Sequence, residues 1–155
     1  MSFNKLFESV KPMPLEFLRG IHSQSLLAAA KHFPGDGYDE RDQHLAPVTN
    51  PLSQEEWDKS FGMVYSSLIQ EGLDMVMVGH ISLPSYAEKD ANHPELAYLP
   101  ATICPEFING LLKEKLGFNG LAVKDATHMV GFTCAGKKRL VALSYGQRNG
   151  RGSLL

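Results

Sequence analysis

Three short, almost unbroken apolar runs punctuate the chain: Leu26 to Ala30, Leu73 to Val78 and Leu121 to Val123. A run without polar alternation reads as a strand covered on both faces, the habit of parallel sheets. Strands are therefore expected over 26–31, 73–78 and 121–123. By propensity alone Ala28-Ala29-Ala30 favours a helix, and the choice of strand there rests on a resemblance described below. Between the runs, apolar positions recur at helical spacing. Ser53-Gln54-Glu55-Glu56 is a capping box, followed by Trp57, Phe61, Val64 and Leu68 and closed by Gly72. Pro105 suits a first turn; Phe107, Ile108, Leu111, Leu112 and Leu116 line one face, and Gly117 stops that helix. A further helix end is expected over Leu15 to Ile21, stopping near Gly20. Pro12 and Pro14 argue for an irregular lead-in over residues 1–14. Residues 33–52 and 81–99 read as long polar loops, and loops beyond about 12–15 residues are usually functional or disordered.

Strands alternating with helices make βαβ units, hence an α/β fold with a parallel sheet. Each apolar run ends on polar residues: Lys31-His32, Gly79-His80 and Lys124-Asp125. In a β/α barrel that end is the active face. The pattern equally allows an open doubly wound sheet, whose ligands also bind at the strands' C-terminal ends.

The densest chemistry follows the first run. Lys31-His32-Phe33-Pro34-Gly35-Asp36-Gly37 and then Asp42-Gln43-His44 bring a lysine, two histidines and the acids Asp36, Asp39, Glu40 and Asp42 together. Proline and glycine there turn the chain and let its backbone lie close to something else.

A chain of 155 residues suits one core and is short for two ordinary domains. With 43% hydrophobic and 21% charged residues it has a globular composition. A net charge of −2 gives no reason to expect nucleic acid as a partner. Cys104 and Cys134 form no disulfide or metal signature. Neither a signal peptide nor a membrane span is visible, so the expectation is a cytoplasmic protein with no membrane partner.

These motifs resemble the N-terminal catalytic domain of glycoside hydrolase family 3, in its β-N-acetylhexosaminidase-like branch. The resemblance rests on Lys31 to Gly37 with Asp42-Gln43-His44, on Asp74 to His80, and on Leu116 to Ala126, in that order. Pro100-Ala101-Thr102 and the helix after it also fit. It covers about Phe17 to Phe132 and gives the organisation 1–14 lead-in, 15–132 partial barrel domain, 133–155 atypical tail. That tail turns Gly-rich and basic (Lys137, Lys138, Arg139, Arg148, Arg151). The implied fold is part of a TIM-type (β/α)8 barrel, about three βα units, against roughly 250 residues for a whole one. Asp125 matches the family's nucleophile, His44 its general acid/base and Asp42 the partner that orients His44. Lys31 and His32 match residues that hold sugar hydroxyls. His80 and His128 are further candidates for ligand contact. Where the family's hexosaminidases often carry histidine after Pro-Gly, this chain has Asp36.

The implied activity is retaining hydrolysis of β-linked N-acetylglucosaminides. Alternatives are a phosphorylase or β-glucosidase of the same family, or an inactive carbohydrate-binding fragment. Taken singly, the residues have plainer readings. An Asp-x-His pair reads as a solvated loop, Asp125 as a helix cap or salt-bridge partner, and Lys31-His32 as ordinary strand-end residues. His22 and His93 read as surface residues. His32, His44 and Asp42 have the right types for zinc, but their spacing matches no established motif, and no metal or cofactor is expected. Open sheet edges make self-association a possibility.

Overall fold

The structure is a computed structural model, and it describes residues 9, 11–87 and 94–134. Helix α1 (Pro12–His22) leads into strand β1 (Ala29–Phe33), and a two-residue strand β2 (Val48–Thr49) follows. Helices α2 (Gln54–Trp57) and α3 (Met63–Gln70) are joined without a break by a π-helical stretch, Asp58–Gly62. Strand β3 (Met75–Val78) is succeeded by β4 (Ile81–Ser82). Two 3₁₀ segments, Pro94–Tyr98 and Ala101–Ile103, then precede α4 (Glu106–Lys115, again π-helical), β5 (Leu121–Lys124) and the short α5 (Val130–Thr133).

The expected parallel sheet is present. Its order is β1-β3-β5, every pairing is parallel, and Ala29, Met75 and Leu121 lie in register across it. β2 and β4 form a small parallel ribbon beside it. The capping box forms as its residues predict: the Ser53 hydroxyl accepts from the Glu56 N–H, and the Glu56 carboxylate accepts from the Ser53 N–H.

Several boundaries differ from expectation. β1 begins at Ala29, and Leu26 and Leu27 are exposed. Pairing starts only where the chain is fastened. The Ala28 N–H donates to the Asp74 carboxylate at 2.8 Å, and the Ala28 carbonyl accepts from Met75. α1 begins at Pro12, inside the stretch expected to be irregular, because a proline in the first turn gives up only an N–H that has no helical partner. The two long loops carry β2, β4 and a 3₁₀ turn, since buried backbone needs partners even in irregular chain. His22, expected at the surface, is half-buried with Nε2 2.8 Å from Asp74 Oδ2. Residues 1–8 and 10, His93, and the tail from 135 onward lie outside the described residues.

The core fills the space between the sheet and its helices. Phe33, Trp57, Val76, Val78, Phe107 and Leu112 are fully buried. Phe33 meets Tyr65 edge-on at 5.2 Å and Trp57 at 6.2 Å between ring centroids. Burial of such side chains contributes about 1.5–3 kcal/mol each. The sheet's other face is different. Ala29 and Leu121 are exposed there, and Met75, Met77 and Val123 are half-buried. Among the described residues the apolar strands are thus covered on their helix side, not on both faces as the runs suggested.

Candidate functional site

The polar residues gather where the three strands end. β1 pairs regularly with β3 through Ala30, then shifts register before Phe33. This irregular end holds Lys31 and His32, and the peptides Lys31–His32 and Phe33–Pro34 are cis. His32 sits between two carboxylates: Nδ1 is 3.0 Å from Asp36 Oδ2, and Nε2 is 3.5 Å from Asp125 Oδ2. Asp125 follows β5 directly. Its N–H donates to the Val78 carbonyl, and its Oδ1 accepts from the Ala126 N–H at 2.8 Å. The carboxylate is therefore fixed from two sides, with Oδ2 turned toward His32.

His80, after β3, is 1% exposed. Nε2 lies 2.9 Å from the Ala126 carbonyl, which can only accept, so Nε2 carries the proton. Nδ1 then accepts from the Thr102 hydroxyl at 2.9 Å. That is the neutral ring, consistent with burial lowering the His80 pKa. Both nitrogens are spent inside the protein, so the expectation of a direct ligand contact by His80 finds no free ring atom. Its place is to hold the turn that carries Asp125.

Asp42 and His44 form the expected pair, with Nδ1 2.6 Å from Asp42 Oδ1, which also accepts the His44 N–H at 2.8 Å. These bonds hold the Asp42 carboxyl below its usual range, the backbone donor acting most strongly. Both side chains are well exposed, at 57% and 61%. No hydrogen bond or ion pair among the described residues joins this pair to Asp125. Lys31 and His128 are exposed, and burial lowers the pKa of half-buried Lys124.

Two features escaped the sequence reading. Gln43, between the dyad residues, is 3% exposed and bonds both Asp36 and the His80 backbone. Gly79 and Gly131 make its place: a Cβ at Gly79 would lie 2.8 Å from His32 Cβ, and one at Gly131 would lie 2.9 Å from the Gln43 carbonyl. Their signal was a glycine beside each strand-end histidine or turn, indistinct from glycines that merely stop helices.

The family model for the glycosyl hydrolase family 3 N-terminal domain matches residues 1–144, so the match takes in the lead-in and runs past Phe132. A β-N-acetylglucosaminidase/β-glucosidase of Cellulomonas fimi is 51% identical over 126 residues, which are 79% of this chain and 22% of that protein. A β-hexosaminidase of Stenotrophomonas maltophilia (strain K279a) is 30% identical over 77% of this chain and 33% of its own length. The chain thus spans between about a fifth and a third of these relatives. Among solved structures, the β-glucoside phosphorylase BglX superposes with a TM-score of 0.75 at 37% identity, over 83% of this chain and 23% of that one. A family 3 β-N-acetylglucosaminidase from Paenibacillus sp. str. FPU-7 gives 0.77 at 29% identity, over 91% and 26%. With its parallel βα units and strand-end site, the chain belongs to glycosyl hydrolase family 3, as part of that family's TIM-type barrel domain.

Proposed function

We propose that this segment supplies the catalytic face of a retaining glycosidase acting on β-linked N-acetylglucosaminides. The observation that carries the reading is Asp125, pinned at the end of β5 with one oxygen on the Ala126 N–H and the other beside His32. Cleavage through an oxocarbenium-like transition state needs an anion at the anomeric carbon and a proton for the departing oxygen. Asp125 forms the bond to the anomeric carbon as the glycosidic bond breaks. His44 gives its proton to the leaving oxygen, and Asp42 holds the ring and steadies the charge it carries. Water, deprotonated by His44, then releases the sugar with its configuration retained. Lys31 and His32 hold sugar hydroxyls, with His128 a further contact; His80 acts by supporting the Asp125 turn.

A second reading is favoured by one feature. A histidine in the acid/base role repels an incoming anion less than a carboxylate would, so phosphate can compete with water. The test is release of p-nitrophenol from the β-N-acetylglucosaminide and the β-glucoside, with and without inorganic phosphate, in a protein carrying this segment within a complete barrel. Turnover of the first without phosphate supports hydrolysis, and acceleration with formation of a sugar 1-phosphate supports phosphorolysis. Saturable sugar binding without turnover overturns both.

A further inference from the structure

Between the exposed Asp42 and His44 lies a residue of opposite character, Gln43, almost wholly buried. Its side chain bridges one acceptor and one donor. Asp36 Oδ2 only accepts, and takes a bond from Gln43 Nε2 at 3.2 Å; the His80 N–H only donates, and gives one to Gln43 Oε1 at 2.8 Å. A primary amide has one donor end and one acceptor end, so it satisfies both at once. Glutamate lacks the donor, methionine lacks both, and asparagine is a methylene short. The backbone is tied as well. The Gln43 carbonyl accepts from the Gly131 N–H at 3.0 Å, and the His44 carbonyl accepts from the Val130 N–H at 3.2 Å. The Asp42–His44 loop is therefore fastened to three strand ends: to β1 through Asp36 and His32, to β3 through His80, and to the segment after β5 through Gly131.

We propose that Gln43 is the positioning residue of the acid/base, setting where His44 stands relative to Asp125 without touching the substrate. The inference rests on the role proposed for His44. Asp36 belongs to the same device: it takes the Gln43 amide and the His32 ring on one oxygen, coupling the loop to the side chain that faces Asp125.

The experiment uses Gln43→Met and Gln43→Glu in a protein carrying this segment within a complete barrel. Gln43→Met removes both bonds at constant length. Gln43→Glu keeps the acceptor for His80 and sets a second carboxylate against Asp36. Each is assayed on an activated aryl glycoside and on an unactivated disaccharide, beside His44→Ala. A misplaced acid costs most where the leaving group needs the proton. Both variants should therefore lose roughly 10- to 100-fold more kcat on the disaccharide than on the aryl glycoside, with KM nearly unchanged and a cooperative melt, lowered but retained. Equal losses on the two substrates overturn the proposal, and so does loss of folding in both variants, which would make Gln43 a residue of the fold alone. If His44→Ala discriminates between the substrates and the Gln43 variants do not, only this inference fails. If His44→Ala does not discriminate, the acid/base assignment fails with it.

Discussion

His32 Nε2 lies 3.5 Å from Asp125 Oδ2, although their strands do not pair. β3 runs between β1 and β5, and neighbouring strands are about 4.8 Å apart, so His32 reaches across the end of the middle strand. It does so from the irregular stretch of β1, where register is lost before Phe33. The break in regular pairing at the motif's second residue is what lets a side chain from one edge meet a carboxylate from the other.

Asp125→Ala, made within a complete barrel, should abolish turnover while N-acetylglucosamine still binds, because the sugar contacts proposed above come from Lys31 and His32. Calorimetry on the variant checks this. Binding lost together with turnover would mean that the site, not the nucleophile alone, had been removed.

His44→Ala should slow hydrolysis of unactivated glycosides by roughly 10²- to 10⁴-fold, the usual range for a positioned acid/base. Activated aryl glycosides should lose much less. Parallel steady-state kinetics on the two substrate classes decide the matter, and matching losses count against His44 as the proton donor.

Asp74 ties the start of β1 to the end of α1, accepting from the Ala28 N–H and the His22 ring. These bonds lower its pKa, the Ala28 donor acting most strongly. A carboxylate whose pKa is lower folded than unfolded adds stability that is full above the unfolded value of about 3.9. That stability is lost as pH falls through the folded value. Asp74→Asn should therefore melt below wild type near neutral pH, and the gap should narrow once pH drops under about 3.9. Thermal melts across that range test it, and a gap independent of pH would contradict it.

Trp57 is fully buried and donates from Nε1 to the Pro34 carbonyl at 2.6 Å, pinning the turn after β1. Trp57→Phe keeps most of the packing and leaves that carbonyl unpaired, at a cost of about 1–3 kcal/mol. Trp57→Ala should cost about 3–5 kcal/mol. Urea denaturation of both variants gives the comparison, and a cost for Trp57→Phe equal to that of Trp57→Ala would assign the effect to the lost hydrogen bond, with no share for packing.

Expressed by itself, this chain should self-associate and turn over poorly. β1 and β5 are the two edges of the three-stranded sheet, and the face bearing Ala29, Met75 and Leu121 is open among the described residues. Such edges invite pairing with another chain. Sedimentation velocity should show mass rising with concentration. A monodisperse monomer hydrolysing N-acetylglucosaminides at about 1 s⁻¹ or faster would contradict the expectation.

The local signals were legible because they depend on neighbours in sequence. The capping box at Ser53 to Glu56, the Trp57 to Leu68 stripe, the stops at Gly72 and Gly117, and the Asp42–His44 pair all lie within a few residues of their partners. Apolar runs located the three strands of the main sheet to within a few residues, the largest error being the start of β1, because Leu26 and Leu27 are apolar without being paired; they did not show β2 and β4, which lie in polar loops. The motif order also carried the family, since it preserves which residue types close each strand.

Only the tertiary structure decided what depends on contacts between distant segments. It set Gln43 between Asp36 and the His80 backbone, spent both nitrogens of His80 on Thr102 and Ala126, and drew His22 onto Asp74. A hydrogen bond is satisfied by whichever group the fold brings within about 3 Å, and residue type alone does not say which group that is. Sequence thus named the chemistry available at each strand end, while the parallel pairing of β1, β3 and β5 determined which of those groups face one another and which are consumed in holding the others still.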